Sequence, residues 1–139
     1  MLPSGLPELV EDDESLARFL TSSNHFNTQL VKHAAFLPSA EGETSVFRHS
    51  GDPSSELWAI GAEHLGGRVF HGAATVKAGE VRATILEVSA DEPPDRHAVI
   101  RGWPKSEDRD LQKAQQKERA MLVASKASLR LKPAPPPST

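Results

Sequence analysis

The sequence predicts a small α+β fold: a mixed or antiparallel sheet with two or three packed helices and a long C-terminal helix. Three observations carry that expectation. Extended runs with β-forming residues, Leu30–Leu37, Thr44–His49, Arg68–Thr75 and Arg96–Arg101, are bounded by Pro, Gly and polar turn residues. The segment Gly51-Asp52-Pro53-Ser54 reads as a helix start, and Leu57, Trp58, Gly61, Ala62 and Leu65 follow at helical spacing. A run rich in Gln, Lys, Ala and Leu extends from Ser106 to about Leu131.

Taken in order, residues 1–12 read as a loose acidic leader, 13–132 as one α+β domain and 133–139 as a disordered, polyproline-like tail. Asp12 or Asp13 caps a predicted short helix through Thr21, on which Leu16, Phe19 and Leu20 fall at i, i+3, i+4 and Glu14 sits in the favourable first turn. Leu30–Leu37 is a predicted strand with neither face cleanly polar, closed by Pro38. Ala40–Glu43 makes a turn into the strand Thr44–His49. The helix begun at Asp52 and Pro53 stops at Gly66-Gly67, and the strand Arg68–Thr75 follows. Residues 76–88 admit a hairpin turning at Ala78-Gly79 or a helical turn over 78–83 followed by a strand Ile85–Val88. The second is favoured because Ala-Gly is a weak hairpin dipeptide. Asp91–Asp95 is an acidic Pro-containing loop, Arg96–Arg101 a strand ended by Gly102 and Pro104, and Ser106 the cap of the last helix.

Composition narrows the function classes. A chain of 139 residues with 37% hydrophobic and 5% aromatic residues builds one modest core, much of it from Ala, Val and Leu. The absence of Cys removes disulfides, thiolate ligands and a Cys nucleophile. No apolar run is long enough to span a bilayer, and the acidic start is the opposite of a signal peptide, so a cytoplasmic protein with no membrane partner is expected. The net charge of −3 is unevenly placed. Glu8, Glu11, Asp12, Asp13 and Glu14 crowd the start, whereas Lys113, Lys117, Arg119, Lys126, Arg130 and Lys132 face only Glu118 near the end.

Candidate chemistry is thin. No His pair has metal-protease spacing, no GxSxG and no P-loop occur, and Asp91, Glu92 and Asp95 lack EF-hand spacing; no metal or cofactor is expected. Metal-free phosphodiester cleavage needs a base, an acid and a cation, residue types supplied by His25, Lys32, His33, Arg48, His49, Arg96 and His97. Partner binding would draw on the last helix, with Leu111, Lys113, Lys117, Met121 and Leu122, and on Trp103 beside Pro104. The leading expectation is a non-catalytic interaction module with a protein partner. The alternative is a small RNA- or DNA-acting protein, in its sharpest form a metal-independent nuclease whose catalytic set is His25, His33, Arg48, His49, Arg96 and His97. Convergence of those six in one cleft separates the two.

Overall fold

The computed structural model describes residues 2–49 and 54–132. The architecture is α+β. Six strands, β1 (Ser15–Leu20), β2 (Thr44–His49), β3 (Gly72–Lys77), β4 (Glu87–Ala90), β5 (His97–Arg101) and β6 (Ser128–Leu131), form one sheet in the order β4-β5-β2-β1-β3-β6. Every neighbouring pair is antiparallel. Three helices, α1 (Ser54–His64), α2 (Ala78–Arg82) and α3 (Arg109–Lys126), complete the fold. No helix among the described residues is long and apolar enough to cross a membrane.

The sheet separates two apolar clusters. Leu16, Leu20, Val46, Ala74, Val76, Val88, Ala98 and Ile100 point to a first face, where they meet Val81 of α2, Ala120, Val123 and Ala124 of α3, and Val31, Ala35, Phe36 and Trp103 from connecting segments. Ala17, Phe19, Phe47 and Ala73 point to the second face, under Leu57 and Ile60 of α1 and beside Phe70. Gly61 lets α1 approach this closely: a Cβ there would lie 2.7 Å from Phe70 Cζ and 2.9 Å from Phe19 Cε1. Gly72 does the same at the sheet edge, where a Cβ would meet the Arg130 carbonyl O at 2.2 Å and push β6 off β3.

Five expectations are corrected. Residues 15–20 form the strand β1, hydrogen-bonded to β2 and β3, not a helix. Leu16, Ala17, Phe19 and Leu20 are all buried because β1 is covered on both faces, and a strand covered on both faces shows no two-residue alternation. Leu30–Leu37 is not a strand. Apart from a bridge between Val31 and Phe26 it is a strap containing a 3-10 turn at His33–Ala35. It drives the adjacent Ala35 and Phe36 inward together, which alternating strand geometry forbids. The strand expected at Arg68–Thr75 starts later, at Gly72. The last helix ends at Lys126 rather than near Leu131, and Ala127 turns the chain into β6. Asp108, not Ser106, is its cap, accepting from the backbone N–H of Asp110 and Leu111; Ser106 Oγ accepts from the N–H of Asp108.

β2 is where predicted, β5 starts one residue late, and the helical turn over 78–82 followed by a strand is the alternative found at 76–88. α1 buries Leu57, Ile60 and Gly61 and leaves Ala62 exposed. The proposed cap Asp52, Pro53 and the Pro-rich tail at 133–139 lie outside the described residues.

The acidic leader lies against the first face, with Val10 in the core. It is fastened by Arg48, whose side chain is 1% exposed. The guanidinium Nε donates to Glu14 Oε1 at 2.8 Å and Nη2 to Oε2 at 3.0 Å, while Nη1 donates to the Pro7 carbonyl at 2.8 Å. Burial pushes the Glu14 carboxyl pKa up, but the hydrogen bonds and charge of Arg48 outweigh it and hold it below its ordinary value. Glu14, expected to stabilise a helix dipole, is instead the counter-ion of a buried arginine.

Candidate functional site

The six His and Arg residues of the nuclease expectation do not converge. Arg48 and His49 are neighbours on β2 and so point to opposite faces. Arg48 is consumed by Glu14 and the leader. His49 is buried on the second face, where burial and then the nearby Arg130 cation lower its pKa to about 4. Arg96 precedes β5 and pairs with Glu56 of α1 at 3.4 Å. His25 sits in a 3-10 turn after β1, its pKa lowered first by burial and then by the Arg18 and His71 charges. His33 belongs to the strap and lines a groove on the far side of the sheet. His97 alone of the six lies on the second face beside an open cavity. With the set dispersed, the general base, general acid and phosphate-binding cation have no common site.

The partner-binding residues divide differently. Trp103 is 4% exposed, with Nε1 donating to the Ile100 carbonyl at 3.1 Å. The indole is a core group that closes the end of β5 and offers no surface to a partner. Leu111, Lys113, Lys117, Met121 and Leu122 are all exposed on α3. The physical reason is the docking stripe of α3, made of the small residues Ala120, Val123 and Ala124, which leaves the large apolar residues outside. Met121 lines a groove of about 710 Å³ between the C-terminal half of α3, the start of β6 and the strap, with Leu30 and Leu129 across from it. Leu30 is 52% and Met121 53% exposed, so apolar side chains border this groove in the open; Leu122, outside its lining, is exposed beside Met121 on α3. Arg119, counted in the sequence among the basic residues of the last helix, donates to the Thr84 carbonyl and holds α3 to the turn after α2.

On the second face, register assembles a cluster that spacing along the chain does not reveal. Ser45 is opposite Val99 and Phe47 opposite His97, so Ser45 and His97 are diagonal neighbours on one face of β2 and β5. His97 Nε2 lies 3.0 Å from Ser45 Oγ. His97 Nδ1 lies 2.9 Å from the Asp91 carbonyl O and 3.3 Å from Asp91 Oδ2. The Asp91 backbone N–H donates to the His97 carbonyl at 2.9 Å, which fixes the hairpin between β4 and β5 around these groups. Past the pair Ala17 and Phe47 the ladder between β1 and β2 stops, and the Arg18 guanidinium fills the opening. Its Nε donates to the Ala35 carbonyl at 2.8 Å and its Nη1 to the Ser45 carbonyl at 3.0 Å.

Arg18, Ser45 and His97 line two cavities. One, about 360 Å³, also has Arg68, His64 and Phe47 in its wall; the other, about 390 Å³, has Glu41, Glu43 and Asp91. Phe47 stacks on His64 with ring centroids 4.7 Å apart and meets the His97 ring edge at 5.3 Å. Burial and the neighbouring Arg68 cation both draw the Arg18 pKa down, which marks a cation-rich wall. Arg18, Ser45, His64, Arg68 and Asp91 were absent from the sequence-based site. The signal present was the alternation Ser45, Phe47, His49 facing His97, readable once β2 and β5 are paired. Comparison with family models, curated proteins and solved structures gives no match.

Proposed function

We propose that this chain is a protein-binding module whose contact surface is the groove between α3, β6 and the strap. The observation that supports the reading is the exposed apolar border of that groove, made by Leu30 and Met121, with Leu122 exposed next to Met121 on α3. Large apolar side chains exposed together on a small protein mark interaction surfaces, and a methionine adapts to varied partners. Lys113 and Lys117 stand further along α3 as an exposed rim, suited to steering an acidic partner rather than anchoring it. The site is therefore expected to bind an acidic protein segment with apolar anchors, in the manner of a peptide seated in a groove.

Affinity capture from cell extract tests this with Met121→Asp, Leu122→Asp and Lys117→Glu variants. The expected result is a captured protein that survives nuclease treatment, is lost with either Asp variant and is weakened several-fold by Lys117→Glu, with a shallow dependence on salt. Capture that disappears with nuclease, falls steeply as salt rises, and depends on Lys117 while tolerating Leu122→Asp would replace this reading with nucleic-acid binding.

A further inference from the structure

The geometry points to a second activity on the face opposite the groove: Ser45, His97 and Asp91, with Arg18 beside them, form an acyl-transfer site that hydrolyses esters of anionic carboxylic acids. The direction of the proton relay follows from hydrogen-bond chemistry. A carbonyl oxygen can only accept, so the Asp91 carbonyl at 2.9 Å requires the proton of neutral imidazole on His97 Nδ1. Nε2 then presents its lone pair to Ser45, and the Ser45 hydroxyl at 3.0 Å donates to it. A nucleophilic serine needs a base within hydrogen-bond reach and a third group that orients that base. Asp91 Oδ2, 3.3 Å from Nδ1, supplies the carboxylate that meets the positive charge formed when the ring takes the serine proton. The His97 side chain is 12% exposed whereas Ser45 is open to both cavities, so the base is shielded and the nucleophile is reachable.

The substrate class follows from the walls. Arg18 and Arg68 line the cavity beside Ser45, and no carboxylate lines it among the described residues. Such a wall favours an acyl group that ends in a negative charge, while Phe47 stacked on His64 gives a flat apolar side for its carbon chain. Arg18 spends Nε and Nη1 on carbonyl groups, which fixes the guanidinium plane next to Ser45 and leaves Nη2 with no acceptor among the described residues. That cation is placed to stabilise the oxyanion of a tetrahedral intermediate.

The reaction balances without any further reagent. Ser45 Oγ bonds to the ester carbonyl carbon as its proton passes to His97 Nε2. The carbon–oxygen bond to the alcohol breaks, and the alcohol leaves with that proton. Water then attacks the acyl-serine, giving one proton to Nε2. The bond to Oγ breaks, the proton returns to Ser45, and the carboxylic acid departs. Ester and water become acid and alcohol.

Three probes test this on the purified full chain: a fluorophosphonate, p-nitrophenyl acetate and the anionic p-nitrophenyl hemisuccinate. The expected result is a fluorophosphonate adduct on Ser45 by mass spectrometry and a kcat/KM higher for the hemisuccinate than for the acetate. Ser45→Ala should lower kcat/KM for the hemisuccinate at least about 100-fold and Asp91→Asn at least about 10-fold. Both positions are exposed, so these variants should keep the thermal unfolding curve of the parent. Arg68→Ala should raise KM for the hemisuccinate by a larger factor than KM for the acetate. His97→Gln should slow labelling of Ser45 to the rate of the urea-unfolded chain. Labelling of Ser45 no faster than in the urea-unfolded chain, or hydrolysis that persists in Ser45→Ala, would overturn the site. Equal rates on the two esters, insensitive to Arg68→Ala, would overturn the substrate class.

Discussion

The two faces of the sheet are made by the same strands and finished by opposite means. The first face is sealed: α2, α3, the strap and the leader cover it, and the fully buried Arg48 is matched there by Glu14 and backbone carbonyls. The second face is sealed only in part. α1 covers Ala17, Phe19 and Phe47, but toward β5 the cover ends and Ser45, His97 and Arg18 border open cavities. A closed face can hold a charge only if every polar atom of it is satisfied, whereas an open face tolerates polar side chains that retain water on one side. Stability accordingly resides mostly on the first face and chemical opportunity on the second.

The sharpest way to break this contrast is to strand the charge on the sealed face. Arg48→Met should cost about 3–5 kcal/mol in denaturant unfolding, toward the lower end because the Glu14 side chain is 24% exposed. Adding Glu14→Leu should recover part of that loss by removing the uncompensated carboxylate. A double variant no more stable than Arg48→Met would show that Arg48 acts through the leader carbonyls alone.

The next effect belongs to the second face. His49 has a folded pKa of about 4, below the ordinary histidine value of 6.5, because burial and then Arg130 disfavour its charged form. Between those two values the unfolded chain binds a proton that the folded chain refuses. Stability is therefore unaffected by this group above pH 6.5 and falls as pH drops toward 4. By linkage the loss approaches about 3 kcal/mol. Unfolding measured from pH 7 to pH 4 should show this slope in the parent and a reduced slope in His49→Gln. The slope remaining in the variant reflects carboxylates such as Glu14, whose lowered pKa also loses stability in acid. Identical slopes in the two proteins would mean that His49 is as easily protonated folded as unfolded.

The smallest effect sharpens the contrast at α1. Gly61→Ala puts a methyl group within 3 Å of the Phe19 and Phe70 rings. It should cost about 1–3 kcal/mol, offset in part by the better helix propensity of Ala. Hydrogen exchange should accelerate in α1 while α3 stays protected, since α3 rests on the other face. Equal loss of protection in both helices would show that the faces unfold as one.

What could be read from the sequence depended on how each element is covered. β2 and β5 were legible because apolar and polar residues alternate or turn residues bound them, as with Pro104 after Arg101. β1 was misread because Leu16, Phe19 and Leu20 fit helical spacing, and burial on both faces erased the alternation that would have argued for a strand. β6 was hidden inside a run of good helix formers; its pairing with β3, permitted by Gly72, overrides that local preference. The exposure of Met121 and Leu122 was partly foreseeable, since Glu118 interrupts the apolar stripe of α3. The Ser45, His97 and Asp91 cluster was not, because three residues separated by 46 and 6 positions meet only through register and a hairpin loop. Trp103 shows the limit of residue type as a guide, since the features that suit an interface anchor also suit a core plug.

The sheet order has a consequence for synthesis. β1, at the middle of the sheet, precedes the other five strands in the chain, and its ladder partners end at residues 49 and 77. Until then a segment apolar on both sides waits with its backbone unpaired, a state open to premature association. The residues that precede it include Glu8, Glu11, Asp12, Asp13 and Glu14, so the nascent strand emerges behind a concentrated negative charge. Like-charge repulsion between neighbouring nascent chains then guards β1 during the interval in which it has no partner. Once β2 arrives, Arg48 takes Glu14 out of that acidic guard and makes it a fastening.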